Sequence, residues 1–228
     1  MEIIEESTIE RITDPEEVKK YFRVGERHKA KEKAIIDLIA STGMLLKGHF
    51  CLESGLHTQF FSRYADGASL NSNVRLVMDE LISDLAGDNI RFDVIIVQPS
   101  AGHILGEMIA TTMHKRLVIA EVDSHNVPTG ELINDKYIYP NDRILIVSDV
   151  FTTGTGLSAI LSAIRRCKAK PVAVALFADR AWEKLKEFEK HESIKVYSLG
   201  SLDFQDKTVR PTECSLDRTS KPIPSWEV

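Results

Sequence analysis

The sequence predicts an α/β fold: a mainly parallel central sheet flanked by helices, with a small N-terminal hood region. Three observations carry this. Short apolar runs rich in β-branched residues recur along the chain. Helical stretches separate several of them. A segment rich in Gly, Phe and His, residues 44–65, breaks the pattern early. Continuous apolar strands alternating with helices indicate a sheet covered on both faces. The 228 residues, 43% apolar and 28% charged, suffice for one principal domain with appended segments.

Residues 1–27 are charged and read as an N-terminal extension, helical from an Asp14 N-cap through Tyr21. The principal domain spans 28–205. From His28 to Ser41, Ala34, Ile35, Leu38 and Ile39 give the spacing of a buried helical stripe, which Gly43 stops. Residues 44–65 read as an irregular hairpin or hood. Strands follow at Asp93–Val97, Arg116–Ala120, Arg143–Val147, Pro171–Phe177 and Ile194–Leu199, with helices at 101–113, 156–167 and 180–190. Residues 121–142, with Pro128, Gly130 and Pro140, read as a long flexible loop, and loops of that length are usually functional or mobile. The tail, 206–228, holds Pro211, Pro222 and Pro224 and reads as irregular.

Composition narrows the function. Lys plus Arg is 29 and Asp plus Glu 34, a net charge of −5, which argues against a dedicated nucleic-acid binder. The start, MEIIEESTIE, lacks the basic and apolar regions of a signal peptide, and no run reaches the length of a membrane span. Cys51, Cys167 and Cys214 form no CxxC pair and read as reduced, structural thiols of a cytoplasmic protein. His49 and Cys51, two apart, are at most a fragment of a metal site, because no second ligand pair lies near them in sequence.

The most informative stretch is Arg143–Cys167, RILIVSDVFTTGTGLSAILSAIRRC. An apolar strand ends at Ser148 and Asp149, then Thr152, Thr153, Gly154 and Thr155 lead into an apolar-periodic helix. Hydroxyls, backbone N–H groups and a helix N-terminus converge there, an anion site suited to a phosphate monoester. Asp149 would face a sugar hydroxyl or a metal. Ordinary helix N-caps use the same residue types. A Walker A loop is excluded, since no GxxxxGK[ST] exists. Gly154 to Ala159 fits G-x-G-x-x-A, with Asp179 at the end of the next strand. That dinucleotide fingerprint normally follows directly on a first strand, whereas here Val150 to Thr153 intervene on a late one.

Strand, acid, VFTTGTG and helix resemble the PRPP-binding motif of the type I phosphoribosyltransferases. Three further segments resemble that family in the same order, closest to the orotate enzymes: LKGHFCLESGLHTQFFSR (46–63) its hood, VIIVQPSAGHILGEMIA (94–110) its diphosphate loop, and FADRAWEKL (177–185) its Asp-Arg-x-x-Glu element. The resemblance implies the type I phosphoribosyltransferase fold over roughly residues 30–200. It also implies a reaction in which Mg2+-bound PRPP loses diphosphate as a nucleobase nitrogen attacks the ribose anomeric carbon. Thr152, Thr153, Gly154 and Thr155 would hold the 5-phosphate, with Ser148 and Asp149 at the ribose hydroxyls. Ser100, Ala101, Gly102 and His103 would sit at the diphosphate, unless His103 is only a helix N-terminal residue. Phe60 and Phe61 would flank the base, although adjacent aromatics also serve as core. Arg180 would meet an acidic group on the base such as the orotate carboxylate, or be a surface arginine paired with Glu183. His125 would donate a proton to the diphosphate. A cytoplasmic homodimer is implied by the same analogy.

The departures from the family pattern lie on the diphosphate side. Ser148 stands where the motif usually carries a first acid, and Glu53 where the orotate enzymes have a lysine. Residues 121–142 hold Glu121, Asp123, Glu131, Asp135 and Asp142 against the single base Lys136, a net −4. One charge pair at ~4 Å and an effective dielectric of ~20 is worth about 4 kcal/mol, so a lysine-to-glutamate exchange matters. Two readings follow: a phosphoribosyltransferase, orotate-type or related, or a non-catalytic relative that binds a nucleotide or PRPP in a regulatory role.

Overall fold

The computed structural model of the protein describes residues 5–6, 8–52, 55–99, 101–124, 127–204 and 208–225. In chain order the elements are β1 (Glu5–Glu6), β2 (Glu10–Ile12), α1 (Pro15–Tyr21), β3 (Phe22–Val24), α2 (Glu32–Thr42), β4 (Leu45–Cys51), β5 (His57–Ser62), α3 (Tyr64–Ala68), α4 (Asn71–Gly87), β6 (Val94–Val97), α5 (Ala101–Thr112), β7 (Arg116–Val122), β8 (Pro128–Ile133), β9 (Arg143–Phe151), α6 (Thr155–Arg166), β10 (Lys170–Asp179), α7 (Trp182–Glu192), β11 (Lys195–Leu202), β12 (Ser220–Lys221) and β13 (Ile223–Pro224).

The five β-branched runs become β6, β7, β9, β10 and β11, all mutually parallel. Antiparallel β3 and β8 close the two edges, giving the order β3-β11-β10-β9-β6-β7-β8. Side chains alternate across these strands. Ile95, Val97, Leu145, Val147, Ala175 and Phe177 therefore meet α2, α4 and α5 on one face. Val94, Ile96, Ile144, Ile146, Val174 and Leu176 meet α6 and α7 on the other. All four residues of β6 are fully buried, and each such side chain contributes roughly 1.5–3 kcal/mol.

A second sheet forms the hood. β4 pairs antiparallel with β5 and with β2, the latter at Leu45–Lys47, and parallel with β13 at Phe50–Cys51. The expected hairpin is thus present, with a register irregularity between Lys47 and Phe50.

Three expectations are corrected. The N-terminal extension is not peripheral: Ile12, Val18, Phe22 and Val24 are buried in the core. Its helix does start at an Asp14 cap, whose carboxylate accepts the Glu16 N–H at 2.9 Å. Residues 121–142 are not an open loop. Leu132 and Ile133 continue the pairing of β8 with β7, and the Arg166 guanidinium donates to the Gly130 carbonyl. The tail is not irregular either. Residues 208–225 hold 3-10 turns at Pro211–Glu213 and Ser215–Arg218 and the strands β12 and β13. Its prolines occupy a turn start and a sheet edge, the places where a missing N–H costs little. Within α2 the stripe shifts by one position: Ile36 is buried while Ala34 is exposed. Helix α4, unassigned in the sequence reading, packs against α5. No helix among the described residues is long and apolar enough to cross a membrane.

Candidate active site

Sheet topology selects the place. From β6 the chain moves outward to β7 and then returns to β9 on the opposite side of β6. The strand order reverses there, and in open α/β sheets ligands bind beyond the carboxyl ends of the strands at such a switch point. The segments that follow β6 and β9 are the two that carry the diphosphate-loop and 5-phosphate motifs.

They meet closely. A Cβ on Gly102, in the first turn of α5, would lie 2.7 Å from Ser148 Cα, 2.8 Å from its carbonyl carbon and 2.9 Å from Asp149 N. Only glycine admits that approach, because all three neighbours are backbone. The cradle is equally constrained. Gly154 caps α6 at φ +78°, and a side chain there would press on the rings of Phe151 and Phe188 at 3.1 Å. Thr152, Thr153 and Thr155 are exposed, and the Thr153 and Thr155 hydroxyls lie 3.1 Å apart. The first N–H groups of α6 have no acceptor within their own helix. Exposed hydroxyl-bearing residues, amide N–H groups and the positive end of the helix dipole are thus gathered at the start of α6.

Asp149 stands beside the cradle. Burial pushes its carboxyl above the ordinary value, and hydrogen bonds from the Val150 N–H at 2.8 Å and the Ser148 hydroxyl at 3.4 Å work against that rise. Ser148 itself is buried. Tyr64 is buried nearby, and its phenol is pushed up by burial and by the charge of Asp149. His103 lies half-buried on α5 with its Nε2 4.0 Å from a Glu107 carboxylate oxygen. Ala101 opens α5. Ser100, His125 and Glu53 lie outside the described residues.

Arg180 joins the main sheet to the hood. The Arg180 guanidinium, at the end of β10, donates to the Thr58 hydroxyl at 2.5 Å and lies 4.8 Å above the Phe204 ring. Phe204 in turn stacks on Phe60 at 5.3 Å, and Phe60 packs on Tyr21 at 4.6 Å. Phe61 points to the other face of β5, beside Phe50 at 5.7 Å. Adjacent residues of a strand cannot share a face, so the expectation that Phe60 and Phe61 together flank one base is corrected: Phe60 shares Arg180's side and Phe61 does not. Sequence reasoning missed Thr58 and Phe204. Thr58 lies within the hood segment 46–63 but nothing in that run singles it out, and no motif marks Phe204, which follows β11.

The acidic character of 121–142 is partly neutralised from outside the segment. Arg116 grips Asp142 with two bonds of 2.9 and 2.7 Å, and Arg166 pairs with Glu131 at 3.2 Å. Asp123 caps its own turn by accepting the Val127 N–H at 3.0 Å.

A mainly parallel sheet with a threonine- and glycine-rich turn at its switch point, joined to a small second sheet, is the class of fold that likeness to known proteins then narrows. Residues 68–209 match the phosphoribosyl transferase domain family. The chain belongs to that family of transferases. An orotate phosphoribosyltransferase of Chlorobium phaeobacteroides is 27% identical over 192 residues, which cover 83% of this chain and 92% of that one. Another, of Thermus thermophilus, is 30% identical over 158 residues, 64% of this chain and 78% of that one. Among solved structures, the orotate phosphoribosyltransferase of Aeropyrum pernix superposes with a TM-score of 0.59 at 19% identity, covering 73% of this chain and 93% of that one. The UMP synthase of Leishmania donovani gives 0.63 at 18% identity, covering 74% of this chain but 36% of that longer one. These structures share the fold.

Proposed function

We propose that the protein transfers the phosphoribosyl group of PRPP to a nucleobase, with orotate as the base, releasing diphosphate and a nucleoside 5′-monophosphate. The observation that carries this reading is the Thr152–Thr155 cradle at the N-terminus of α6, set beside Asp149 at the switch point. Thr152, Thr153, Gly154 and Thr155 bind the 5-phosphate. Asp149 and Ser148 orient the ribose hydroxyls. Ser100, Ala101, Gly102 and His103 border the diphosphate, and His125 donates a proton to it as it leaves. Arg180 meets the orotate carboxylate, and Phe60 backs the base side through Phe204.

Mg2+ fits as the companion of PRPP. The Asp149 carboxylate and Ser148 hydroxyl are the hard oxygen donors such an ion accepts alongside substrate oxygens and water. When bound, it neutralises charge on the leaving diphosphate. The protein's own residues hold the sugar phosphate and the base so that the anomeric carbon faces the attacking nitrogen, which is the positional part of catalysis. Three unpaired cysteines suit a cytoplasmic protein, and the homodimer follows by family analogy.

The test is incubation of purified protein with PRPP, Mg2+ and a mixture of nucleobases including orotate, read by mass spectrometry. Orotidine monophosphate is the expected product. A different product would reassign the base. No product at high protein concentration would favour a second reading, a non-catalytic binder of nucleotides. That reading rests on Ser148 in place of an acid and on the acids of 121–142, and it expects nucleoside monophosphates to bind at least as tightly as PRPP.

A further inference from the structure

Away from the switch point, four side chains converge where the hood meets the C-terminal segment. His49 comes from β4, His57 from β5, Cys214 from the junction between the two 3-10 turns after Val209, and Asp217 from the second of them. Their Nε2, Nδ1, Sγ and carboxylate oxygen atoms all lie within 4.8 Å of one another. We propose that these four groups bind one zinc ion and that the ion fastens residues 208–225 to the hood.

Four of the six spacings among these atoms match the edges of a coordination tetrahedron, and the other two are no longer than 4.8 Å. Zinc bonds of ~2.0–2.1 Å to nitrogen and oxygen and ~2.3 Å to sulfur require ligand atoms about 3.3 Å apart, or about 3.6 Å where one is sulfur. Here His49 Nε2 lies 3.1 Å from His57 Nδ1 and 3.3 Å from Asp217 Oδ1. His57 Nδ1 lies 3.1 Å from that same oxygen, and Cys214 Sγ lies 3.5 Å from His49 Nε2.

A second observation is independent of that spacing. His49 Nδ1 lies 3.0 Å from the Ser220 carbonyl oxygen, which can only accept. The Ser220 hydroxyl also lies 3.1 Å from Nδ1. With the Nδ1 proton directed at the carbonyl, Nε2 presents a lone pair to the other three groups. A histidine ligand tied through its second nitrogen to a backbone carbonyl is the usual outer support of a metal. Without an ion, the Cys214 thiol and the His57 ring would compete for that one lone pair. A cation takes all four lone pairs at once, and the thiol releases its proton on binding.

Burial fits a structural site. His49, His57 and Cys214 are 1%, 6% and 9% exposed, and four protein ligands leave no open position for substrate. Two imidazoles, a thiolate and a carboxylate in tetrahedral array select zinc over the oxygen-seeking Mg2+.

Tag-free full-length protein should carry about one zinc per chain by elemental analysis after exhaustive dialysis. Apoprotein loaded with Co2+ alone should show a thiolate-to-cobalt charge-transfer band and the visible spectrum of a tetrahedral ion. Cys214→Ser should remove the band, and His49→Ala should reduce bound zinc to background. If either variant fails to fold, the wild-type cobalt spectrum still decides the matter. Wild-type apoprotein that takes up neither Zn2+ nor Co2+ would overturn the proposal. So would Co2+ bound with octahedral spectra and no thiolate band. Both measurements are independent of phosphoribosyl transfer, so failure of one reading leaves the other standing.

Discussion

In the proposed site Thr153 and Asp149 do different work within a few residues of each other. Thr153 would offer its hydroxyl to the dianionic 5-phosphate, and a hydrogen bond to a charged group contributes about 1.5–3 kcal/mol. Thr153→Ala is therefore expected to lower kcat/KM for PRPP roughly 10- to 100-fold, chiefly through KM. Asp149→Asn should act mainly on kcat, since the ribose is held in place but without the charge. Steady-state kinetics with PRPP as the varied substrate separate the two, and full activity in both variants would remove the cradle from the mechanism. The turn at 152–155 and the helix it opens are the part of the candidate site most legible in the sequence, because their residues are contiguous. Gly102 was also legible as a motif residue. Its reason was not: the 2.7 Å approach to Ser148 joins positions 46 residues apart. The zinc ligands were illegible for the same reason. His49 and Asp217 meet only because the hood and the C-terminal segment do, and His49 with Cys51 alone gave a fragment that the fold resolves differently.

At the scale of elements, the β-branched runs specified the parallel strands, most clearly the central β6, β9 and β10, whose apolar residues are buried on both faces. The two edge strands escaped notice. Phe22–Val24 is too short to show a period, and Pro128–Ile133 opens on a proline and contains Gly130 at φ +88°, both turn signals in isolation. Helix α4 carries an ordinary stripe of Val74, Val77, Met78, Leu81 and Leu85, all buried, and could have been read. The β7–β8 hairpin is held to α6 by Arg166, which bonds the Gly130 carbonyl and Glu131, and by Pro128 against Gly156. Arg166→Ala should loosen it. Amide exchange over 128–133 is expected to accelerate several-fold while β9 and β10 stay protected. Unchanged exchange would mean that pairing with β7 alone secures the hairpin.

For the whole molecule, charge pairs tie distant parts of the chain. Asp93 and Arg143 clamp the starting ends of β6 and β9 through bonds of 2.7, 2.9 and 3.0 Å. Asp88, at the end of α4, meets Lys195, Tyr197 and Arg27, and those partners hold its carboxyl down at about 2. A folded-state value below the unfolded one, ~4, stabilises the protein above that pH. The contribution is lost as pH falls from ~4 toward ~2. Thermal unfolding of the wild type should show its midpoint falling through this window. Asp88→Asn should lie below the wild type at neutral pH and converge with it as the acid limit is approached. A constant gap across the window would show that Asp88 acts by packing rather than by charge.

The hood has a consequence for biosynthesis. Its sheet joins Glu10–Ile12 to β4 on one side of a junction and Ile223–Pro224 on the other. The proposed phosphate cradle and diphosphate loop are encoded between residues 94 and 166, whereas the second sheet lacks its last strand until residue 224 has emerged. During translation the nascent chain therefore passes through an interval in which the segments of the proposed phosphate site have left the ribosome while the second sheet is unfinished.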